Sequence, residues 1–269
     1  MIREPIGKGP RVFLGVLSIL LLFAGYEFLS YQRRLENPKD KTMPSMRIIW
    51  RKGVVKAFDV DTKIDEVRIK ADSYETYKNL FLGMLISAAI AIPIGVLMGC
   101  NGYVDAFFAP TFIYISKIPP TASMAVFFCL FGTESLLCVA IVVFGVMPSL
   151  ACAIRLGVAG VPQENISKAY TLGASTCEVI WDVVYKQIRP KINENIRLQI
   201  GPAIVFLLGV EVFCANVGFG HTIRIFQKRI EMDIIYFYLI LLGLLGYLVD
   251  KGLERYAKWR CPWYYKGRR

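Results

Sequence analysis

Two ionisable residues lie where charge is expensive, Lys117 and Glu211. Lys117 sits in the middle of an apolar run from about Tyr103 to Phe131, about 14 residues or ~21 Å of helix from either end. A charge at that depth marks a solute or ion pathway, or else a lysine that pairs with an acid or snorkels from a break in the helix. Pro119 and Pro120 follow almost directly. They break the helix and free backbone groups, which membrane proteins tolerate only against protein or a water-filled cavity. A lysine facing such a cavity attracts an anion. Glu211 lies toward the outer end of a later apolar run, where it lines an outer gate, satisfies Lys117, or is an interfacial carboxylate held by water. The remaining inventory argues against catalysis. One histidine, His221, most simply a loop residue, cannot serve a Ser/His/acid arrangement and a metal site together. No Gly-rich phosphate loop with a lysine and no zinc spacing occurs, so no catalytic residue, metal site or cofactor is expected. Seven cysteines include no CxxC pair; Cys100, Cys129, Cys138, Cys152 and Cys214 fall in or beside apolar runs and read as small core residues.

The elements that position these groups are membrane helices. Apolar residues make up 55% of the 269-residue chain, in blocks, and mean hydropathy is +0.46. The fold class is therefore an all-α polytopic membrane protein in a lipid bilayer. Net charge is +11, which basic cytoplasmic ends explain without a nucleic-acid partner. About six spans are expected: Val12–Leu29, Leu80–Cys100, Tyr103–Phe131, Ser135–Ile154, Ile196–Val217 and Ile234–Val249. No cleavage site follows the first, which is read as retained. Residues 1–30 form a tail and first span, 31–79 an external connection, 80–257 the core, and 258–269 a basic aromatic tail. Within the connection, Met46, Ile49, Trp50, Val54 and Phe58 recur at helical spacing among basic residues, an amphipathic helix that lies on the membrane or packs on the bundle. Asp59 to Asp72 alternates apolar and charged residues and reads as a short hairpin or an insertion. Gly95-xxx-Gly99 is a small-residue pattern that lets helices approach. The tail carries five basic residues and no acid from Lys258 to Arg269, placing the C terminus in the cytoplasm. Six spans return the N terminus to the same side.

The stretch from Val161 to Pro190 differs from the runs around it, being polar and helix-forming. Pro162 suits a first helical turn, the helix can run to Leu172, and Gly173 supplies the left-handed or close-packed position that ends it. Ser175 with Glu178 makes a capping box for a second helix from Thr176 to about Gln187. A mere connection between spans needs fewer residues. This one reads as a cytoplasmic element gripped from outside the bilayer.

The run Ser167-Lys168-Ala169-Tyr170-Thr171-Leu172-Gly173-Ala174-Ser175 resembles the EAA loop of binding-protein-dependent ABC importer permeases. Ser167 and Lys168 replace the usual Glu-Ala, and Tyr185-Lys186 the usual Leu-Pro, while Pro190 matches a second proline often seen there. The likeness to nitrate, sulfonate, taurine and bicarbonate permeases extends over roughly residues 75 to 265. It includes Ile92-Pro93-Ile94-Gly95, Lys117-Ile118-Pro119-Pro120, Val161-Pro162-Gln163-Glu164, Gly209-Val210-Glu211, Gly218-Phe219-Gly220 and Cys261-Pro262-Trp263-Tyr264. The resemblance implies a type I importer fold in a bacterial inner membrane. It implies cytoplasmic ABC ATPase subunits, an external solute-binding protein that docks near Gly218–Gly220, and a second permease subunit in a homo- or heterodimer. Glu164, Ala169, Tyr170, Thr171, Leu172, Gly173, Ala174 and Ser175 become the expected ATPase contact, and Lys117, Pro119, Pro120 and Glu211 the expected translocation pathway. A small polar solute then moves by alternating access, with hydrolysis in the partner. The alternative is a stand-alone secondary transporter or channel, which would need its own coupling-ion site at broken helices in repeated halves; no internal repeat is visible.

Overall fold

The protein is described by a computed structural model over residues 7–36, 42–58, 60–61, 66–132 and 135–266. In chain order, α1 is Lys8–Glu36; α2 joins Met46–Ile48, a π-helical Ile49–Gly53 and Val54–Ala57; β1 is Val60–Asp61 and β2 Glu66–Val67. Then follow α3 Arg68–Cys100, α4 Gly102–Ile115, α5 Met124–Phe131, α6 Ser135–Ala159 and α7 Gln163–Thr171. Helix α8 runs without interruption over Thr176–Cys214, α9 is Phe219–Lys228, α10 Met232–Arg260 and α11 Pro262–Lys266. Five of these helices, from α1, α3, α6, α8 and α10, are long and apolar enough to cross a membrane. The expected third span is instead two shorter helices, α4 and α5, because Pro119 and Pro120 forbid a continuous one.

The chain divides into two compact units, Met1–Arg68 with Ile223–Ile240, and Ile69–Thr222 with Leu241–Arg269. In the first, only 6% of the apolar window of α1 is covered by protein, as suits a helix solvated by lipid. Glu27 on α1 accepts the Met46 N–H at 3.1 Å and caps α2, whose own N-cap residue, Ser45, makes no such bond. The buried face of α2 is Ile49, Gly53 and Ala57. A Cβ on Gly53 would lie 2.9 Å from the Phe237 Cβ, so the helix packs by its smallest side chain. The larger apolar residues Trp50, Val55 and Phe58 are exposed. Lys56 bridges Glu231 at 2.7 Å and Asp233 at 3.2 Å. Within the alternating stretch β1 and β2 pair antiparallel, Val60 opposite Val67 and Asp61 opposite Glu66, residues 59 and 62–65 lie outside the described residues, and Arg68 already begins α3.

The second unit holds the main core. Leu137, Ile141, Val142, Val146, Leu150, Ala151 and Ile154 of α6 are fully buried, facing Ala91 of α3 and Ala203, Leu207 and Val210 of α8. Helix α3 meets α6 through a stripe at every fourth residue: Gly83, Ser87, Ala91 and Gly95. A Cβ on Gly83 would sit 2.7 Å from a Val142 methyl, and one on Gly95 2.7 Å from the Ala151 carbonyl oxygen. Small residues here let the backbones touch, which replaces the hydrophobic drive that lipid cannot supply. The Ser87 hydroxyl donates to the Gly83 carbonyl at 2.7 Å, so the stripe carries no unpaired hydroxyl there. Near the far end, Arg155 of α6 donates to Asp105 of α4 at 2.7 Å. Arg197 of α8 makes a two-pronged pair with Asp250 of α10, 2.7 and 2.8 Å.

Candidate functional site

Helix α7 starts after Pro162 as its N-cap, with Glu164 in the first turn, where the helix dipole favours an acid. Its end is a Schellman motif. Gly173 takes φ +86°, its N–H donates to the Tyr170 carbonyl at 3.0 Å, and the Ala174 N–H reaches back to Ala169 at 3.1 Å. The next turn opens on the expected capping box: Glu178 N–H donates to Ser175 Oγ at 3.4 Å, and Ser175 N–H to the Glu178 carboxylate at 2.8 Å. Local chemistry therefore fixes the break between two helices. Ile166 packs on the core and Asn165 donates to Gln187 at 3.4 Å, anchoring α7 on its inner side. The outer side is bare: Glu164, Tyr170, Thr171, Gly173 and Ser175 are exposed, Leu172 is 88% exposed, and Ala169 and Ala174 are half-buried.

The second helix does not stop near Gln187, nor does a new span start at Ile196. Residues Thr176 to Cys214 form one helix, π-wound over Val179–Tyr185, with Pro190 and Pro202 inside it. Trp181 and Tyr185 stack on the π segment with ring centres 4.7 Å apart. Motion of the exposed loop is thus covalently continuous with a helix long enough to cross the membrane.

The broken segment between α4 and α5 lies elsewhere in the same unit. Turns re-pair its freed backbone: Lys117 N–H donates to Tyr114, Ala122 N–H to Pro119, and Ser123 Oγ to the Pro120 carbonyl at 2.8 Å. Pro120 is buried in a notch at Gly145 of α6, and Thr121 seats on Gly209 of α8; a Cβ at either glycine would lie under 3 Å from them. Pro119 and Lys117 are exposed, and Lys117 makes no ion pair among the described residues.

Glu211 is 0% exposed and pairs with Thr76 and Gly220 and not with Lys117. It accepts from Thr76 Oγ1 at 2.8 Å and from the Gly220 N–H at 2.9 Å. Thr76 Oγ1 accepts from the Phe219 N–H at 3.0 Å, and Asp72 from the Gly218 N–H at 3.0 Å and Thr222 Oγ1 at 2.7 Å. Three consecutive N–H groups at the start of α9 are each satisfied by a buried side chain, two of them carboxylates placed where the dipole favours them. Gly218, at φ +131°, has no room for a Cβ beside the Glu211 carboxyl. Sequence reasoning passed over Asp72 and Thr76. Their signal is spacing: they lie four apart, with Thr76 seven residues before Gly83, the helical spacing that puts them on the same face of α3 as the small-residue stripe.

The family described as binding-protein-dependent transport system inner membrane component matches residues 91–257. An ABC transporter permease protein of Methanocaldococcus jannaschii is 29% identical over 188 residues, covering 68% of this chain and 70% of that protein. The taurine transport system permease protein TauC of Escherichia coli is 23% identical over 185 residues, 69% of this chain and 67% of its own. The bicarbonate transport system permease protein CmpB of Synechococcus elongatus is 26% identical over 179 residues, 66% of this chain and 64% of its own. Among solved structures, a chain of the inward-facing MetNI methionine ABC transporter shares the fold, with TM-score 0.64 at 15% identity over 71% of this chain and 94% of that one. With the family match spanning most of its multi-pass helical core, this chain belongs to the binding-protein-dependent transport system inner membrane components.

Proposed function

We propose that this chain is the permease of an ATP-driven importer for a small anionic solute, and that α7 with its Schellman turn is the contact for a separate cytoplasmic ATPase. The observation that carries this reading is the loop itself. A rigid helix–glycine–helix turn presents Leu172 and Tyr170 outward and continues directly into the helix over Thr176–Cys214. Glu164, Ala169, Tyr170, Thr171, Leu172, Gly173, Ala174 and Ser175 form the gripped surface. Closure of two ATPases rotates two permease bundles, identical or different, against each other and alternates access across the membrane. Hydrolysis belongs to the ATPase; the permease supplies the path and the lever. An external binding protein delivers the solute. The membrane is a bacterial inner membrane, with both termini and residues 161–175 on its cytoplasmic side.

Lys117 and Pro119 line the path, Pro120 seats the break against Gly145 of α6, and the lysine attracts negative charge. Glu211 serves it from behind, holding the start of α9 against α3 and α8. Relatives named for bicarbonate and aliphatic sulfonates support a small anion, and taurine, a zwitterion, shares the sulfonate group.

The test is co-expression with the cognate ATPase, with and without Gly173→Trp. Wild type is expected to leave the detergent column with the ATPase and the Trp variant without it. A folded wild-type chain that never retains the ATPase would overturn the reading.

A further inference from the structure

Beside the coupling loop lies an open cleft of about 600 Å³, walled by Asn165 of α7, Asp182, Lys186 and Arg189 of α8, and Arg260 and Trp263 at the C-terminal end. Its charges do not balance. Lys186 is taken by Asp182 at 2.5 Å, which leaves Arg189 and Arg260 with no carboxylate partner among the described residues. Both arginines line the one cleft, Arg260 with its guanidinium over the Trp259 ring at 6.0 Å, and planar guanidinium forks match carboxylate or phosphate. We propose that this cleft is a second docking point for the ATPase and receives an acidic segment of it; this rests on the function proposed above.

Depth decides between an acidic protein and an anionic lipid. Arg260 lies about 11 residues, or ~16 Å of helix, beyond Val249, where the apolar run of α10 ends. Arg189 lies about as far before Ile200, where the unbroken apolar run of α8 begins. The headgroup layer adds only about 5–8 Å to the hydrocarbon on each side. The cleft therefore opens roughly twice as far out as lipid phosphates lie. A partner gripping Leu172 from the cytoplasm is at the right level, because Asn165 on the same helix forms the cleft wall. The two contacts divide the work: the turn supplies shape, and the arginine pair supplies charge that steers and fixes register.

The experiment measures affinity of the purified chain for its cognate ATPase at about 50, 150 and 300 mM salt. Wild type is compared with Arg189→Gln/Arg260→Gln and with a charge-matched control, Arg33→Gln/Arg255→Gln. Wild type and control are expected to weaken steeply with salt. The cleft variant is expected to bind roughly tenfold more weakly at low salt and to show a flatter salt dependence. Wild-type affinity and slope in the cleft variant would overturn the inference. So would weaker binding with an unchanged slope, which signals lost packing. A cleft variant that keeps ATPase affinity but loses co-purifying phosphatidylglycerol would transfer the cleft to lipid. Failure of the function proposal looks different: wild type then binds no ATPase at any salt.

Discussion

Gly173 and Ile230 occupy the same position of the same motif, and only one of them is suited to it. Each is the left-handed residue that ends a helix, at φ +86° and φ +56°. At the second site the Glu231 N–H reaches Phe226 at 3.0 Å and the Ile230 N–H reaches Gln227 at 3.1 Å, repeating the Ala174–Ala169 and Gly173–Tyr170 pattern. A β-branched residue pays about 1–2 kcal/mol in that conformation. Ile230→Gly removes the clash but loosens the unfolded chain, so a net gain of about 0.5–1 kcal/mol is expected, visible as a higher melting temperature. An unchanged or lower melting temperature would mean that the exposed isoleucine makes a compensating contact. The Glu211 node has the opposite character, because every partner there is matched. Gln in place of Glu211 turns one acceptor into a donor facing the Thr76 hydroxyl or the Gly220 N–H. Glu211→Gln is expected to cost about 1–3 kcal/mol, read as a lower melting temperature in detergent. The amide of Gly220 should also lose protection in hydrogen exchange, and a loss confined to distant amides would remove the proposed role of the node.

Elements follow from local chemistry where that chemistry is complete, and from distant partners where it is not. The turn at Gly173, the capping box at Ser175 and Glu178, and the break at Pro119-Pro120 were legible because neighbouring residues alone determine them. The continuity of α8 through Pro190 was not. A proline costs a helix one hydrogen bond, but Ile188 and Ile192 are buried on one side and Pro190 on the other, and packing on both sides outweighs the loss. Asp72 and Thr76 were hidden for a related reason: each pairs with N–H groups at the start of α9, far away in sequence, and nothing local announces it. The amphipathic reading of α2 found the helix and missed its buried face, because Gly53 and Ala57 carry too little apolar surface to register as a core. The same blindness applies to the stripe on α3, of which only Gly95 and Gly99 were visible beforehand. Its function is close approach, so bulk there should be costly. Gly95→Leu must displace the Ala151 carbonyl and the Ile154 side chain, and a loss of about 1–3 kcal/mol is expected. Gly157→Leu, on the α6 surface with nothing within 4 Å of an added Cβ, should be near neutral under the same thermal scan. Equal effects at the two sites would mean that α3 and α6 do not depend on contact at Gly95.

At the scale of the whole molecule, orientation ties the parts into one reading. The family match begins at residue 91, so its span holds the broken segment, the loop over Val161–Ser175 and Glu211, and leaves out α1 and α2. Helix α8 leads away from the loop and α10 leads back, and Asn165 and Arg260 line one cleft, so the loop and the C-terminal end lie on the same side of their unit. In the topology proposed above, the basic residues that follow Lys258 put that side in the cytoplasm. Cys177, exposed within the capping box in the first turn of α8, is a native reporter of this arrangement. In a chain whose other cysteines are replaced by serine or alanine, a membrane-impermeant maleimide should label Cys177 in inside-out vesicles and leave it unlabelled in right-side-out ones. Added ATPase should then slow the labelling severalfold, and Gly173→Trp should abolish that protection while leaving the labelling itself intact. Labelling from the outside would invert the topology and remove the loop from reach of any cytoplasmic partner. Labelling from the inside with no protection by a bound ATPase would keep the topology and move the grip away from the turn, toward the face of α7 that carries Glu164.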